Sequence, residues 1–202
     1  QTLNGTVGNG NRVSATVSRN GDLVSRLYYE FDTGAINNEA CANYGSAAFD
    51  SVEVEIGGQR IDKQTGHWME TYAELTEPNS DMKSHAQGVE NTGTLFQNMS
   101  GMGGTFGATA ANTVPIFVPL QFWFCRNPGL ALPLIALQYH EVKVSILLSS
   151  ETNSNPSALD LWVDYIYLDT DERRRFAQQS HEYLIEQVQF QNSGDSLNHE
   201  LN

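Results

Sequence analysis

Apolar and polar side chains that alternate along a run lie on opposite faces of an extended strand, and this period of two dominates the chain. Leu23, Ser25, Leu27, Tyr29 and Phe31 share one face, while Val24, Arg26, Tyr28 and Glu30 share the other. Residues 51–56 repeat the pattern, with Val52, Val54 and Ile56 inward and Ser51, Glu53 and Glu55 outward. In residues 142–148, Val142, Val144, Ile146 and Leu148 point inward and alternate with Lys143, Ser145 and Leu147. Between 159 and 168 the alternation begins at Leu159, Leu161 and Val163 and has changed phase by Ile166 and Leu168, which predicts a bulge.

Two runs, residues 114–125 and 132–137, are apolar on both faces and read as strands buried on both sides. Pro115, Pro119 and Pro133 lack the ladder donor, so they belong at strand starts, edges or bulges. Asn127, Pro128 and Gly129 form a turn sequence. Helix is scarce. Trp68, Tyr72 and Leu75 recur at helical spacing within residues 65–75. A second helix starts at Asp169, where Asp169 and Glu172 make a capping pair and Arg173, Arg174 and Arg175 follow. Residues 76–113 are rich in Gly, Asn, Ser and Thr and read as a long connection pinned by Leu95, Phe96, Met99, Met102 and Phe106. Beyond about residue 178 the pattern restarts with Tyr183, Ile185, Val188 and Phe190, then turns polar, as in a linker to another unit. Short strands, large loops and little helix predict an all-β antiparallel sandwich. Jelly rolls, cupins, lectins and immunoglobulin-like domains share that architecture. The Cys–Trp–Cys signature of a true immunoglobulin domain is missing, because Trp68 lies on a helical pattern between Cys41 and Cys125.

Composition narrows the function. The 202 residues carry 24 Asp and Glu against 11 Lys and Arg, a net charge of −13 that repels phosphate and argues against direct nucleic-acid binding. Only 17% of residues are charged, so the polar surface rests on amides, hydroxyls and glycine, which suits a protein covered by partners. No apolar run is long enough for a transmembrane segment. The two cysteines, Cys41 and Cys125, are too sparse for a disulfide framework and read as free, buried thiols.

No catalytic, metal or cofactor site assembles from the residues. The hydrolase elbow is absent, and the Gly-rich run 101–107 lacks the Lys-Ser/Thr of a phosphate loop. It reads as a loop that needs positive φ. His67, His85, His140, His181 and His199 show no metal-ligand spacing. Arg173, Arg174 and Arg175 fan around a helix and are expected to pair locally with Asp169, Asp171 or Glu172, or to meet a neighbouring domain or subunit. Asn4 and Asn98 head glycan acceptor sequons.

Read together and in order, several segments resemble the major capsid proteins of nucleocytoplasmic large DNA viruses, the group with chlorovirus, iridovirus and mimivirus capsids. They are residues 18–23 (SRNGDL), 55–63 (EIGGQRIDK), 68–76 (WMETYAELT), 132–142 (LPLIALQYHEV), 161–177 (LWVDYIYLDTDERRRFA) and 181–187 (HEYLIEQ). The resemblance implies two tandem jelly rolls. Residues 1–169 would be the first, without its opening strand, and residues 170–202 a helical connector leading into the second. It further implies a non-enzymatic subunit of an icosahedral capsid, needing no cofactor. Such subunits form homotrimers of pseudo-hexameric outline that contact neighbouring capsomers and minor capsid proteins in the virion, after assembly in the host cytoplasm. A competing reading from architecture alone is a carbohydrate-binding, lectin-like sandwich in which Trp68 or Tyr72 stacks on sugars.

Overall fold

The computed structural model of the chain describes residues 1–32, 43–78, 83–84, 93–106, 115–150 and 158–191. Their strands are β1 (Arg12–Thr16), β2 (Leu23–Asp32), β3 (Phe49–Ile56), β4 (Gln59–Thr65), the short β5 (Lys83–Ser84) and β6 (Thr105–Phe106), β7 (Pro115–Pro119), β8 (Leu132–Pro133), β9 (Val142–Leu148) and β10 (Leu159–Ile166). Short helices interrupt them: α1 (Tyr44–Ala47), α2 (Gly66–Thr76), α3 (Leu95–Ser100), α4 (Trp123–Arg126) and α5 (Thr170–Gln178). One antiparallel sheet runs β1-β9-β3-β4; the other runs β10-β2-β7, with β8 also on β2. Most sheet neighbours are far apart in sequence, so the chain crosses repeatedly between the two sheets of the predicted sandwich, as in the jelly roll that the resemblance implies.

The inner faces follow the alternation. Val13, Ala15, Val52, Val54, Val144 and Ile146 of one sheet meet Leu27, Tyr29, Phe31, Val118 and Leu161 of the other in one buried cluster. Rings tie the layers together: Phe49 of β3 lies 5.9 Å from Tyr29 and 5.7 Å, edge-on, from Phe31, both of β2. Gly57 and Gly58, at φ 60° and 82°, form the two-residue hairpin between β3 and β4, where a primed turn requires positive φ.

Four local expectations change. The bulge falls at Asp164/Tyr165, but its extra residue is Ser25 on β2, so Leu23 and Val24 are both buried. Residues 114–125 are not one strand. The part described is β7, then the buried turn α4, whose Trp123 and Phe124 pack edge-to-face at 5.0 Å. Pro115 and Pro119 bound β7, an edge strand, where a missing N–H costs no ladder bond. Likewise the run 132–137 pairs only over β8 before turning. Finally, α2 buries Met69 and Ala73 rather than the expected stripe; Trp68 and Tyr72 are half-buried and Leu75 is 80% exposed. Thr65 caps α2 by accepting from the Trp68 N–H, and this start sets which side faces the sheets.

Residues 76–113 hold a helix the composition concealed. Thr94 and Gln97 form a reciprocal capping box that starts α3. Met102 is buried and Phe96 partly so, whereas Leu95 and Met99 are exposed; the side chain of Phe106 lies outside the described residues.

Candidate assembly surfaces

Several groups able to do chemistry among the described residues are engaged in internal bonds. Among the described residues no three His, Cys, Asp or Glu side chains gather as a metal site would require. His67 lies on α2, His140 before β9 and His181 after α5, while Cys41, His85 and His199 lie outside the described residues. Burial pushes the Cys125 thiol up to about 12, the opposite of an activated nucleophile. In the Gly-rich run, Gly103 and Gly104 take positive φ and aim their N–H groups at one oxygen of Glu70, at 2.9 and 3.2 Å. The other Glu70 oxygen accepts from the Ser46 hydroxyl at 2.7 Å. The loop thus wraps a carboxylate of its own chain; Gly107 lies outside the described residues. No helix among the described residues is long and apolar enough to cross a membrane.

Within the arginine cluster, Arg173 does not pair locally. Asp169 caps α5 by accepting from the Glu172 N–H at 2.8 Å, as its spacing predicts. Arg173, however, leaves its own helix and donates to Asp22 at 2.9 Å, 151 positions away in sequence. The same carboxylate oxygen accepts from the Leu168 N–H at 2.8 Å. Asp22 sits just ahead of β2 and Leu168 follows β10, so the carboxylate closes the end of that strand pair and holds the root of α5. The Leu168 bond, helped by Arg173 against the opposing effect of burial, keeps the Asp22 carboxyl below its ordinary range. Arg174 and Arg175 are exposed.

Residues 179–191 form neither helix nor strand and cross the surface as a strap. The His181 ring stacks on Phe176 with centroids 4.9 Å apart. Glu186 pairs with Arg126 at 2.6 Å, the Gln187 amide donates to the Ile61 carbonyl, and the Val188 N–H donates to Asp62 at 3.0 Å. Asp62 is itself buried and also accepts from the Gln64 amide at 3.0 Å. Beneath the strap a cavity of about 380 Å³ is lined by Tyr183 and Ile185 on one side and Trp123, Leu132 and Leu137 on the other. Arg126 serves two elements at once. Its guanidinium lies 5.4 Å from the Trp68 ring and 4.9 Å from the Tyr72 ring while it binds Glu186. Trp68 and Tyr72 also stack on each other at 5.1 Å, so these aromatics are engaged internally. Sequence reasoning missed Arg126, Asp62 and Asp22, because their partners are remote in sequence.

The outward face of the β10-β2-β7 sheet carries rings. Tyr28 and Trp162 stack at 6.5 Å, Phe117 meets Tyr28 edge-on at 6.4 Å, and Trp162 is 50% exposed. The Trp162 indole donates to Glu30 at 2.6 Å. Beside these rings a groove of about 790 Å³ is lined by Tyr72, Leu95, Phe96, Met99 and Phe117. Of the two sequon asparagines, Asn4 is exposed and bridges to Ser14. Asn98 is half-buried within α3, where the Ser100 hydroxyl donates to the Phe96 carbonyl at 2.7 Å.

The sequence profile described as "Major capsid protein N-terminus" matches residues 1–169. The major capsid protein of Pyramimonas orientalis virus is 48% identical over 198 residues, covering 94% of this chain and 48% of that protein. The major capsid protein of Paramecium bursaria Chlorella virus 1 is 44% identical over 206 residues, covering 96% and 44%. A solved structure of the PBCV-1 virus capsid superposes with a TM-score of 0.77 at 41% identity, over 94% of this chain and 46% of that one. The chain therefore spans about half the length of the curated relatives it matches.

Proposed function

The chain belongs to the major capsid protein family, and on that premise we propose that it is a structural subunit of an icosahedral virion, with no catalytic role. In this reading residues 1–169 form the first of two tandem jelly rolls, and residues 170–202 lead into the second. Three copies make a trimer of pseudo-hexameric outline. Trimers tile the shell against neighbouring capsomers and minor capsid proteins, after assembly in the host cytoplasm. The observation that carries the reading is the match in both sequence and fold to a capsid structure over 94% of the chain.

The physical features agree with such a role. A shell tile needs broad faces rather than a reaction centre, and the carboxylates and thiol described above are spent on internal bonds. The Asp22–Arg173 pair and the strap tie the proposed connector to the first sandwich, which would fix how the second is hung. Arg174 and Arg175 are then available to a following domain or a neighbouring subunit. Asn4 is the better disposed of the two glycan acceptors, since it is exposed and outside a helix. The test is sedimentation velocity and negative-stain microscopy of the intact polypeptide that carries this chain. A stable trimer that forms hexagonally packed arrays is expected. A persistent monomer that binds simple sugars would overturn the reading in favour of a lectin.

A further inference from the structure

We propose that the outward face of the β1-β9-β3-β4 sheet docks a carboxylate-rich surface on a second copy of this chain. The inference rests on the assembly reading above and names the surface and the chemistry of one contact within it.

It starts from an imbalance of charge. The alternation turns Glu53 toward water, yet its side chain is only 7% exposed because three cations lie over it. Arg12 reaches it from β1 at 2.9 Å, Lys63 from β4 at 3.6 Å and Arg60 from β4 at 3.8 Å. Burial alone would push the Glu53 carboxyl up; the bond from Arg12 and the charges of Arg12, Lys63 and Arg60 outweigh it and hold the group below its ordinary range. Glu55, the next outward residue of β3, is in register with Arg60, so along the strands of this face two carboxylates answer four cations, Arg12, Arg60, Lys63 and Lys143. Only Arg12 stands at hydrogen-bond distance, so the donors of Arg60 and Lys63 are left largely to solvent. Arg12, Arg60 and Lys63 are 48%, 61% and 38% exposed, and they share the face with Ser14, Ser145 and Leu147, which leave it flat. Glu55 is shared between Arg60 on β4 and Lys143 on β9, and Glu141 stands just ahead of β9, two residues from Lys143, so the face as a whole keeps a modest positive excess.

The occupant follows from the same count. A net charge of −13 is concentrated elsewhere on the chain, while this patch is locally positive. A surface of copies that tile side by side therefore presents each patch with abundant carboxylates, and opposite potentials both steer and register such contacts. Nucleic acid fits less well, because the rest of the chain repels it.

The test compares the intact polypeptide with its R60Q/K63Q variant, which keeps the Arg12–Glu53 bond and hence the fold, as an unchanged melting temperature would verify. Self-association at about 50 mM salt is expected to weaken about tenfold in the variant, and the difference to vanish near 500 mM, where screening shortens to a few ångströms. Carbodiimide treatment of mixed light and heavy copies is expected to link Lys63 to a carboxylate of another copy. If the wild type assembles but the variant assembles equally well at low salt, with Lys63 linked only to its own Glu53, this proposal falls and the assembly reading stands. A wild type that never associates removes both. Retention of duplex DNA through the same two cations also overturns it, in favour of a nucleic-acid face.

Discussion

Asp22 offers the sharpest test of how the connector is held. Its carboxylate accepts from the Leu168 N–H at 2.8 Å and from Arg173 at 2.9 Å. The substitution D22A removes both. Leaving a partly buried N–H without its acceptor costs about 1–3 kcal/mol. The Arg173 guanidinium is half exposed, so its share of the ion pair is screened and worth about 0.2–1 kcal/mol. D22A should therefore cost about 2–3 kcal/mol. The amide of D22N still accepts from Leu168 and loses only the charge, so it should cost about 1 kcal/mol or less. The pH dependence has a definite sign. The native carboxyl is held below its ordinary value, so its contribution is complete above the unfolded-state pKa, about 4. That contribution is lost as pH falls through the native pKa. Urea unfolding followed by tryptophan fluorescence, at pH values from about 6 down to about 3, should show the gap between wild type and D22N closing in acid. Equal costs for D22N and D22A, or a gap that does not change with pH, would refute the reasoning.

Other outcomes follow from the same structure. The Tyr29 hydroxyl is buried without a hydrogen-bond partner, and burial holds its pKa well above the ordinary value. Y29F should thus be neutral or stabilising by up to about 1–2 kcal/mol in thermal or urea melts; a loss of that size would reveal a partner in solution. R126A should release the strap, so that the Val188 amide exchanges with deuterium at least about tenfold faster while β9 amides keep their protection. Unchanged exchange at Val188 would mean that the Asp62 bond suffices alone. Cys125, with its thiol pushed up to about 12, should resist iodoacetamide near pH 8 until urea unfolds the chain. Rapid alkylation of Cys125 itself in the folded protein, told apart from Cys41 by peptide mapping, would contradict the raised thiol.

By itself, the sequence determined the features that depend on near neighbours. The period of two in residues 142–148 and in the later part of β2 needs only backbone geometry, and those side chains took their expected faces. Asp169 was legible as a cap because its partner is three residues away. The Thr94–Gln97 box had the same local signal and was hidden only by the polar composition around it. Only the tertiary structure decided what distant segments do to one another. Glu53 reads as an outward carboxylate until β1 and β4 bring Arg12, Lys63 and Arg60 over it. The run 114–125 reads as one strand until its second half proves to fill the core as the helical turn α4. Arg173 reads as a partner of its own helix until the β10-β2 register sets Asp22 beneath it. Sheet pairing in this fold joins residues far apart along the chain, so the neighbours that set burial, charge balance and ion pairs are not written in any local window.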